Sequence, residues 1–540
     1  MKPIYLSILA ALLFFSQPIT AQVPGITSSN LPLVVINTNG QTIVDGSKIT
    51  SKMKVIDNAN HINKPTDPGN NFDGTIGIEY RGGKAKPAEQ NPYTIETRDA
   101  SGSNLNVSLL GMPEENDWIL LANYNDKTLI RNALSFEIFR KMAHYSPRAK
   151  MVEVIVNNVY QGIYFLTEKI KQDKGRVDIS KLTSADVTGD AVTGGYIFKI
   201  DSYDATNSWK SNYTSIDHPE KPVYFVYDDP AATDLVAQQK TYLQSAVNSF
   251  EKVLYSSGYQ NQTTGYPAWI KINSWLDYFI VSEFSRNINA YKKNCYYFKN
   301  KDSKDTKIHS GPVWDFDSGY KNLDACSPFS ATDGSGWSYK INDCPDNKTN
   351  SNGWIVRLLQ DPAFASAVNA RYTLMRNSYL SSGYLNNFID SVQNLASEAQ
   401  VRHYTKWNIL SSPVGDAEVD AQPATYDGQV LKFKNWIQTR LAWLDVHIPS
   451  DITSVPNEQL EPEFSYRIFP NPGSDLIYIE ASSKIQDVEI IQGSGQSVLH
   501  LSGISAYETQ VNVSKLSSGI YMVLVKMDGK QQVSSKLVIQ

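Results

Sequence analysis

Between Glu283 and Tyr320 the chain gathers residue types that transfer of a phosphoryl group requires. Asn289 and Asn294 stand five positions apart, and the turn Trp314-Asp315-Phe316-Asp317-Ser318-Gly319 follows downstream. Phosphoryl transfer leaves little covalent work to a protein. It must place a polar or acidic group at the acceptor hydroxyl and supply hard oxygen ligands to a divalent cation that neutralises the phosphates. Asp315 and Asp317 offer two carboxylates on one turn, and the two asparagines offer amide oxygens. On spacing alone the same residues also read as a capped turn beside a solvated loop, so support must come from the rest of the chain.

The elements that must carry these residues fall into a strand-rich stretch and a helix-rich one. Apolar β-type runs at Leu31–Ile36 and Ile49–Ile56 are separated by Asn-Gly and Asp-Gly turns. An alternating strand at Gly77–Gly82 runs into a loop holding Lys84 and Lys86, and another strand fits Tyr93–Thr97. Met151–Val156 and Gly162–Leu166 are joined by Asn157-Asn158, and Gly194–Ile200 reads as a further strand. Between them Asp126 can cap a helix whose apolar positions are Leu129, Ala133, Phe136, Ile138 and Met142. Helical spacing then dominates, at Asp234–Leu254, Ser274–Arg286, Ile355–Leu359, Ala363–Tyr379 and Tyr426–Val446. Strands followed by helices predict an α+β chain with a ligand cleft between two lobes. Residues 451–464 form a polar, Pro-containing linker, and 465–540 carry short alternating strands that suit a small antiparallel β-sandwich.

The start of the chain has the order of a secretory signal peptide over residues 1–21: Lys2, the apolar run Ile4–Phe15, Ser16-Gln17-Pro18 and the small Ala21. That run is too short for a bilayer, which takes roughly 20 residues, and no later segment is apolar enough to span in the mature chain. The 540 residues fit two or three domains, and 41% hydrophobic content supplies a core. A net charge of -5 gives no polyanion-binding signature, which excludes nucleic acid as a partner. Of three cysteines, Cys326 and Cys344 can close a loop in an oxidising compartment, while Cys295 lies in an apolar stretch and reads as a buried thiol.

Several ordered segments resemble the CotH (spore coat protein H-like) kinase family across residues 30–450. They are Gly77–Gly82, Asp126–Asn132, Gln161–Ile170, Gly194–Asp201, Gly311–Asp317, Trp354–Pro362 and Trp436–Arg440. The resemblance implies an atypical protein-kinase-like two-lobed domain over 22–450 that binds ATP with Mg (or Mn) and phosphorylates secreted or surface proteins on hydroxyl residues. It implies Asp315 as metal ligand with Asp317 and Asn294 in support, and Asn289, Asn294 and Asp315 as the catalytic set. Arg81, Lys127, Arg131 and Glu168 become cofactor-binding candidates. Lys127 and Arg131, one helical turn apart, are expected to face one phosphate site, and Glu168 to orient a basic partner. The chain departs from the family twice. Asn289 replaces the usual catalytic Asp and cannot take a proton as a carboxylate does. Gln90 and Asn91 stand before Pro92-Tyr93 where the family carries lysines.

Residues 465–540 resemble a type IX secretion sorting domain, through Phe469-Pro470-Asn471-Pro472, Leu516–Tyr521 and the closing Lys536-Leu537-Val538-Ile539. That resemblance implies recognition by the type IX secretion machinery and a secreted or cell-surface protein exported through the periplasm. A second reading is a catalytically degenerate extracellular binding or structural module, favoured by Asn289, with exposed aromatics such as Trp209, Trp337 and Tyr339 as contact points. A glycoside hydrolase would need a pair of carboxylates across a cleft, and no motif singles one out.

Overall fold

The structure, a computed structural model, describes residues 26–82, 90–345, 348–452, 466–493, 496–528 and 532–540. The expected signal peptide, Lys84, Lys86 and most of the expected linker lie outside the described residues.

Seven strands near the N-terminus close into a barrel: β1 (Leu33–Asn37), β2 (Ile49–Ile56), β3 (Phe72–Tyr80), β4 (Tyr93–Arg98), β5 (Asp117–Ala122), β6 (Ala149–Val156) and β7 (Val159–Glu168). The order around the wall is β1-β2-β3-β4-β5-β7-β6, and β6 returns to β1 as the barrel's parallel pair. Side-chain alternation explains the sequence of the wall. Along β7, Tyr164 and Leu166 fill the barrel interior, while Ile163 and Phe165 pack outward into the helical core. A wall buried on both faces reads as a continuous apolar run rather than an alternating one. Strand β5 is such a run: Trp118 and Leu120 point in and Ile119 points out. Strand β5 is absent from the sequence expectations for that reason.

Helix α1 (Arg131–Lys141) joins β5 to β6. Asp126 does cap its approach, accepting from the N–H groups of Thr128, Ile130 and Arg131 at 2.8–3.0 Å. The helix nevertheless begins only at Arg131, after a left-handed turn at Leu129. Lys127 therefore precedes the helix, and the expectation that it sits one helical turn from Arg131 is corrected.

Beyond the barrel, β8 (Tyr196–Ile200), β9 (Ser208–Lys210), β10 (Tyr224–Asp229), β11 (Cys295–Lys299) and β12 (Ile308–Ser310) form an antiparallel sheet in the order β12-β11-β8-β10-β9. Around it lie α2 (Ala237–Leu254), α3 (Ile272–Ser285), the short α4 (Ser327–Ser330) and α5 (Trp354–Leu358), then α6 (Pro362–Arg376), α7 (Ser382–Ala396), α8 (Ala399–Lys406) and α9 (Tyr426–Asp451). Local chemistry sets several starts. Asp361, Ser381 and Thr425 accept the first free N–H groups of α6, α7 and α9, and Pro362 opens α6. Cys326 and Cys344 are joined by a disulfide, their Cα atoms 5.7 Å apart, and Cys295 is a buried free thiol. Trp337 is only 6% exposed, Trp209 packs 4.4 Å from Tyr227, and Tyr339 lies against Trp337. The expectation that these three aromatics are exposed is overturned, because each completes an aromatic core.

The C-terminal strands β13 (Tyr466–Phe469), β14 (Leu476–Gln492), β15 (Ser497–Asn512), β16 (Gly519–Met527) and β17 (Gln532–Ile539) make one antiparallel sheet around an apolar core of their own. Strand β14 is shared along its length: its first half pairs with β13 and its second half with β16. The chain is thus mixed α+β, and no helix among the described residues is long and apolar enough to cross a membrane.

Candidate functional site

The loop between α3 and β11 meets the turn after β12 through side chains. Asp315 Oδ2 accepts from Asn294 Nδ2 at 2.7 Å and from Asn289 Nδ2 at 3.1 Å. Asn287 supports both partners, donating to the Asp315 carbonyl at 3.0 Å and accepting the Asn289 N–H at 3.0 Å. Asp317 takes the amide of Asn125, in the loop after β5, at 3.0 Å. Helix α1 fixes the turn from behind: Asn132 accepts the Phe316 N–H at 2.8 Å, and Phe136 stacks on Trp314 with centroids 5.6 Å apart. Tyr291, Asn294 and Asp315 all hold left-handed backbone, with φ of +67°, +53° and +67°. Such conformations cost energy for side-chain-bearing residues and concentrate where a fold must aim specific groups.

The electrostatics single out one carboxyl. Burial first, and then the neighbouring Asp317, push Asp315 up to about 7, against the opposing pull of Lys293 and of the Asn294 amide. Amides soften but do not cancel two like charges on one turn. A divalent cation with a preference for oxygen ligands would remove that conflict, and the donor set of Asp315, Asp317 and Asn294 fits magnesium or manganese.

The other sequence candidates fall in different places. The Arg81 guanidinium lies 5.4 Å above the Trp314 ring, one residue from Asp315. Lys127 turns inward, donating to the carbonyls of Leu410 and Ser412 and to Gln422 Oε1 at 2.5–3.2 Å, and burial lowers it to about 8. Arg131 pairs with Asp126 at 2.5 Å, both side chains almost fully buried. Glu168 does engage a base: it accepts from Arg148 Nη1 at 2.7 Å and from the Arg148 N–H at 2.9 Å. Gln90 is buried, donating to the Ile163 carbonyl and accepting the Asn123 N–H. The structure therefore brings Asn289, Asn294, Asp315 and Asp317 together and sets Arg81 beside them. It ties Lys127, Arg131 and Glu168 into ion pairs and backbone contacts.

Residues that sequence reasoning missed complete the neighbourhood. Lys199 lies 3.3 Å from Asp201 and 3.2 Å from Asp228, with its ammonium 5.1 Å from the Tyr296 ring. Burial alone would lower it, but Tyr296, Asp228 and Asp201 outweigh burial and hold it above the usual lysine range. Cross-strand pairing sets Lys199 opposite Tyr296, where it feels the charge of Arg81. Arg286 and Arg440 clamp the segment that follows the Asp315 turn. Arg286 donates to the Ala331, Ser335 and Phe329 carbonyls and to Asn322 at 2.5–3.1 Å, and Arg440 donates to the Gly334 and Gly336 carbonyls at 2.7 Å. Arg440 closes the segment Trp436–Arg440, but neither clamping role is readable from a motif, because the partners are backbone carbonyls remote in sequence.

Residues 467–540 match a family described as a secretion system C-terminal sorting domain, which marks an exported chain of the type IX secretion route, released or held at the cell surface. Residues 78–444 match the family described as CotH kinase protein, and the chain belongs to that family. No curated protein matches the chain.

Proposed function

We propose that residues 22–450 form a two-lobed, kinase-like unit that binds ATP with magnesium or manganese and transfers phosphate to hydroxyl groups of secreted or surface proteins. Residues 451–464 act as the linker to the sorting domain, and the route runs through the periplasm after removal of residues 1–21. The observation that carries this reading is Asp315, a carboxyl pushed up to about 7 by burial and Asp317, opposed by Lys293 and bonded to the amides of Asn289 and Asn294. The cation supplies charge neutralisation for the phosphates when bound. Asp315, Asp317 and Asn294 are the residues that would hold it. Arg81 stands at the side of the turn as a cation for phosphate, and Asn289 positions the acceptor hydroxyl by hydrogen bonding. The deciding experiment is thermal unfolding with ATP and magnesium or manganese. Wild type is expected to gain stability only when nucleotide and metal are both present, and Asp315→Ala to gain none. Absence of any shift in wild type removes the reading.

A second reading, nucleotide binding with feeble transfer, is favoured by Asn289. An amide at the acceptor hydroxyl cannot accept its proton, and general-base help is worth roughly 10²–10⁴-fold. Asn289→Asp is expected to raise autophosphorylation by about that factor with nucleotide affinity little changed. Brisk transfer by wild type, unaltered by the substitution, rejects it.

A further inference from the structure

Two loops far apart in sequence meet beside the Asp315 turn and are tied together at two points. The first follows β5 and carries Asn125 and Lys127. The second, residues 407–425, joins α8 to α9 without a helix or strand of its own. Connections this long with no regular element are uncommon in compact domains and usually serve function. Lys127 makes one tie. Its side chain is buried, and its ammonium donates to the Leu410 and Ser412 carbonyls and to Gln422 Oε1 at 2.5–3.2 Å. All three acceptors belong to the second loop.

Asn125 makes the other. Its Oδ1 accepts from Lys321 Nζ and from the Asp416 N–H, both at 3.2 Å. Its Nδ2 donates to Asp317 Oδ2 at 3.0 Å, to Ser318 Oγ at 3.3 Å and to Asp416 Oδ2 at 3.4 Å. The Ser318 hydroxyl donates to the same Asp416 oxygen. A flipped amide would set its oxygen against two carboxylates and its N–H groups against an ammonium, so these partners fix one orientation. The second loop comes as near as a backbone can. Gly415 holds φ of +60°, and a Cβ added there would overlap Asn125 Oδ1.

The consequence falls on Asp317. It shares a turn with Asp315, and like charges so close repel, so an unsupported carboxylate relaxes toward water. The Asn125 amide holds it through Oδ2 alone, which leaves it an oxygen for a cation. Turn and loop also face one buried ammonium. Burial first, and then Arg131, lower Lys321, and Asp317, Glu418 and Asp416 oppose them. We propose that the 407–425 loop is a strap that positions Asp317: Gly415 and Asp416 hold Asn125, Asn125 holds Asp317, and Lys127 holds the strap. Asn125 and Asp416 are thus positioning residues. The strap rests on the metal-binding reading above only for what Asp317 binds.

Hydrogen exchange of the full chain without metal reads the strap by itself. The turn has amides bonded within the fold, Phe316 to Asn132 and Tyr320 to the Ser285 carbonyl. Asp416→Ala and Gly415→Ala are each expected to speed exchange over residues 316–320 about tenfold, while β2 and β3 keep wild-type rates. Asp416→Asn keeps an acceptor oxygen for Ser318 and is expected to restore most of the protection. If one of the two alanine variants fails to fold, the other decides. The second arm is thermal unfolding with ATP and manganese, where Gly415→Ala is expected to need about tenfold more manganese for half-maximal stabilisation. Wild-type exchange over 316–320 in the alanine variants overturns the proposal. So does exchange that rises equally in β2 and β3, or an Asp416→Asn chain as open as Asp416→Ala. An unchanged manganese requirement in Gly415→Ala, where wild type responds to the metal, overturns the link to Asp317. A wild type that ignores manganese removes the proposed function instead, and the exchange rates still decide the strap.

Discussion

Two buried acids, both in the core of the site region, show opposite designs. Glu283 is enclosed on α3 and fully partnered. It accepts from the N–H groups of Ser338 and Tyr339 at 2.8 and 2.9 Å and from the Tyr291 hydroxyl at 3.0 Å, with Arg440 at 3.4 Å. Burial pushes it up to about 7, and these partners resist. Asp315 is pushed to the same level by burial and a second carboxylate, with two amides bonded to it and Lys293 opposing the rise from a distance. An acid given cations and donors builds structure. An acid given a like charge waits for something to bind. Its partners make Glu283 a structural anchor.

The contrast can be broken in order of expected effect. Glu283→Ala leaves Arg440 buried without its counter-charge, so it is expected to cost roughly 3–5 kcal/mol in denaturant unfolding. A cost below about 1 kcal/mol would mean that Glu283 is as dispensable as a surface ion. Replacing both Cys326 and Cys344 by Ser frees the segment that Arg286 and Arg440 clamp, with an expected loss of about 2–4 kcal/mol. An unchanged unfolding midpoint would show that the arginines alone hold the segment.

Asp315→Asn is expected to work in the other direction. Without metal it raises stability, because it removes one of two like charges. A carboxyl raised in the folded state binds a proton that the unfolded chain releases, so wild-type stability falls as pH rises from the ordinary Asp range toward 7. The gain from Asp315→Asn is therefore absent in acid and complete above about pH 7, and metal-dependent stabilisation of wild type grows over the same window. A loss of stability on Asp315→Asn would erase the distinction from Glu283.

The smallest effect belongs to Glu251, which burial raises to about 8 although Ser211 and the Trp354 indole both donate to it. Glu251→Gln keeps the shape and removes the titration. Its melting temperature is expected to match wild type near pH 4.5 and to exceed it by a few degrees near about pH 8. Equal pH profiles would place Glu251 in contact with an unrecognised cation.

What was legible in the sequence followed from local rules. The strand at Ile49–Ile56 and the helix ending at Leu254 were readable from periodicity, and the Asp315-Phe316-Asp317 turn from its chemistry and its company of ordered motifs. What was hidden depends on long-range geometry. Lys127 carries the right charge in the right motif, yet a left-handed turn at Leu129 swings it toward residues 410–422, a relation that no local pattern encodes. Asn125 reaches the site only through a loop contact of 192 residues' separation. The aromatics expected on the surface were misjudged because polar neighbours in sequence say little about what packs on a ring.

The barrel's closing pair sets a timetable. Leu33 lies beside Glu153 and Ile36 beside Val156, so the first strand cannot find its last neighbour until more than a hundred further residues have been made. Contacts so distant in sequence are slow to form, since the entropy of closing the intervening loop must be met before the pairing returns anything. A chain leaving the ribosome amino end first therefore stays open-ended while β1 to β5 accumulate. Only the arrival of the β6–β7 hairpin ends that interval and lets the barrel wall close on itself.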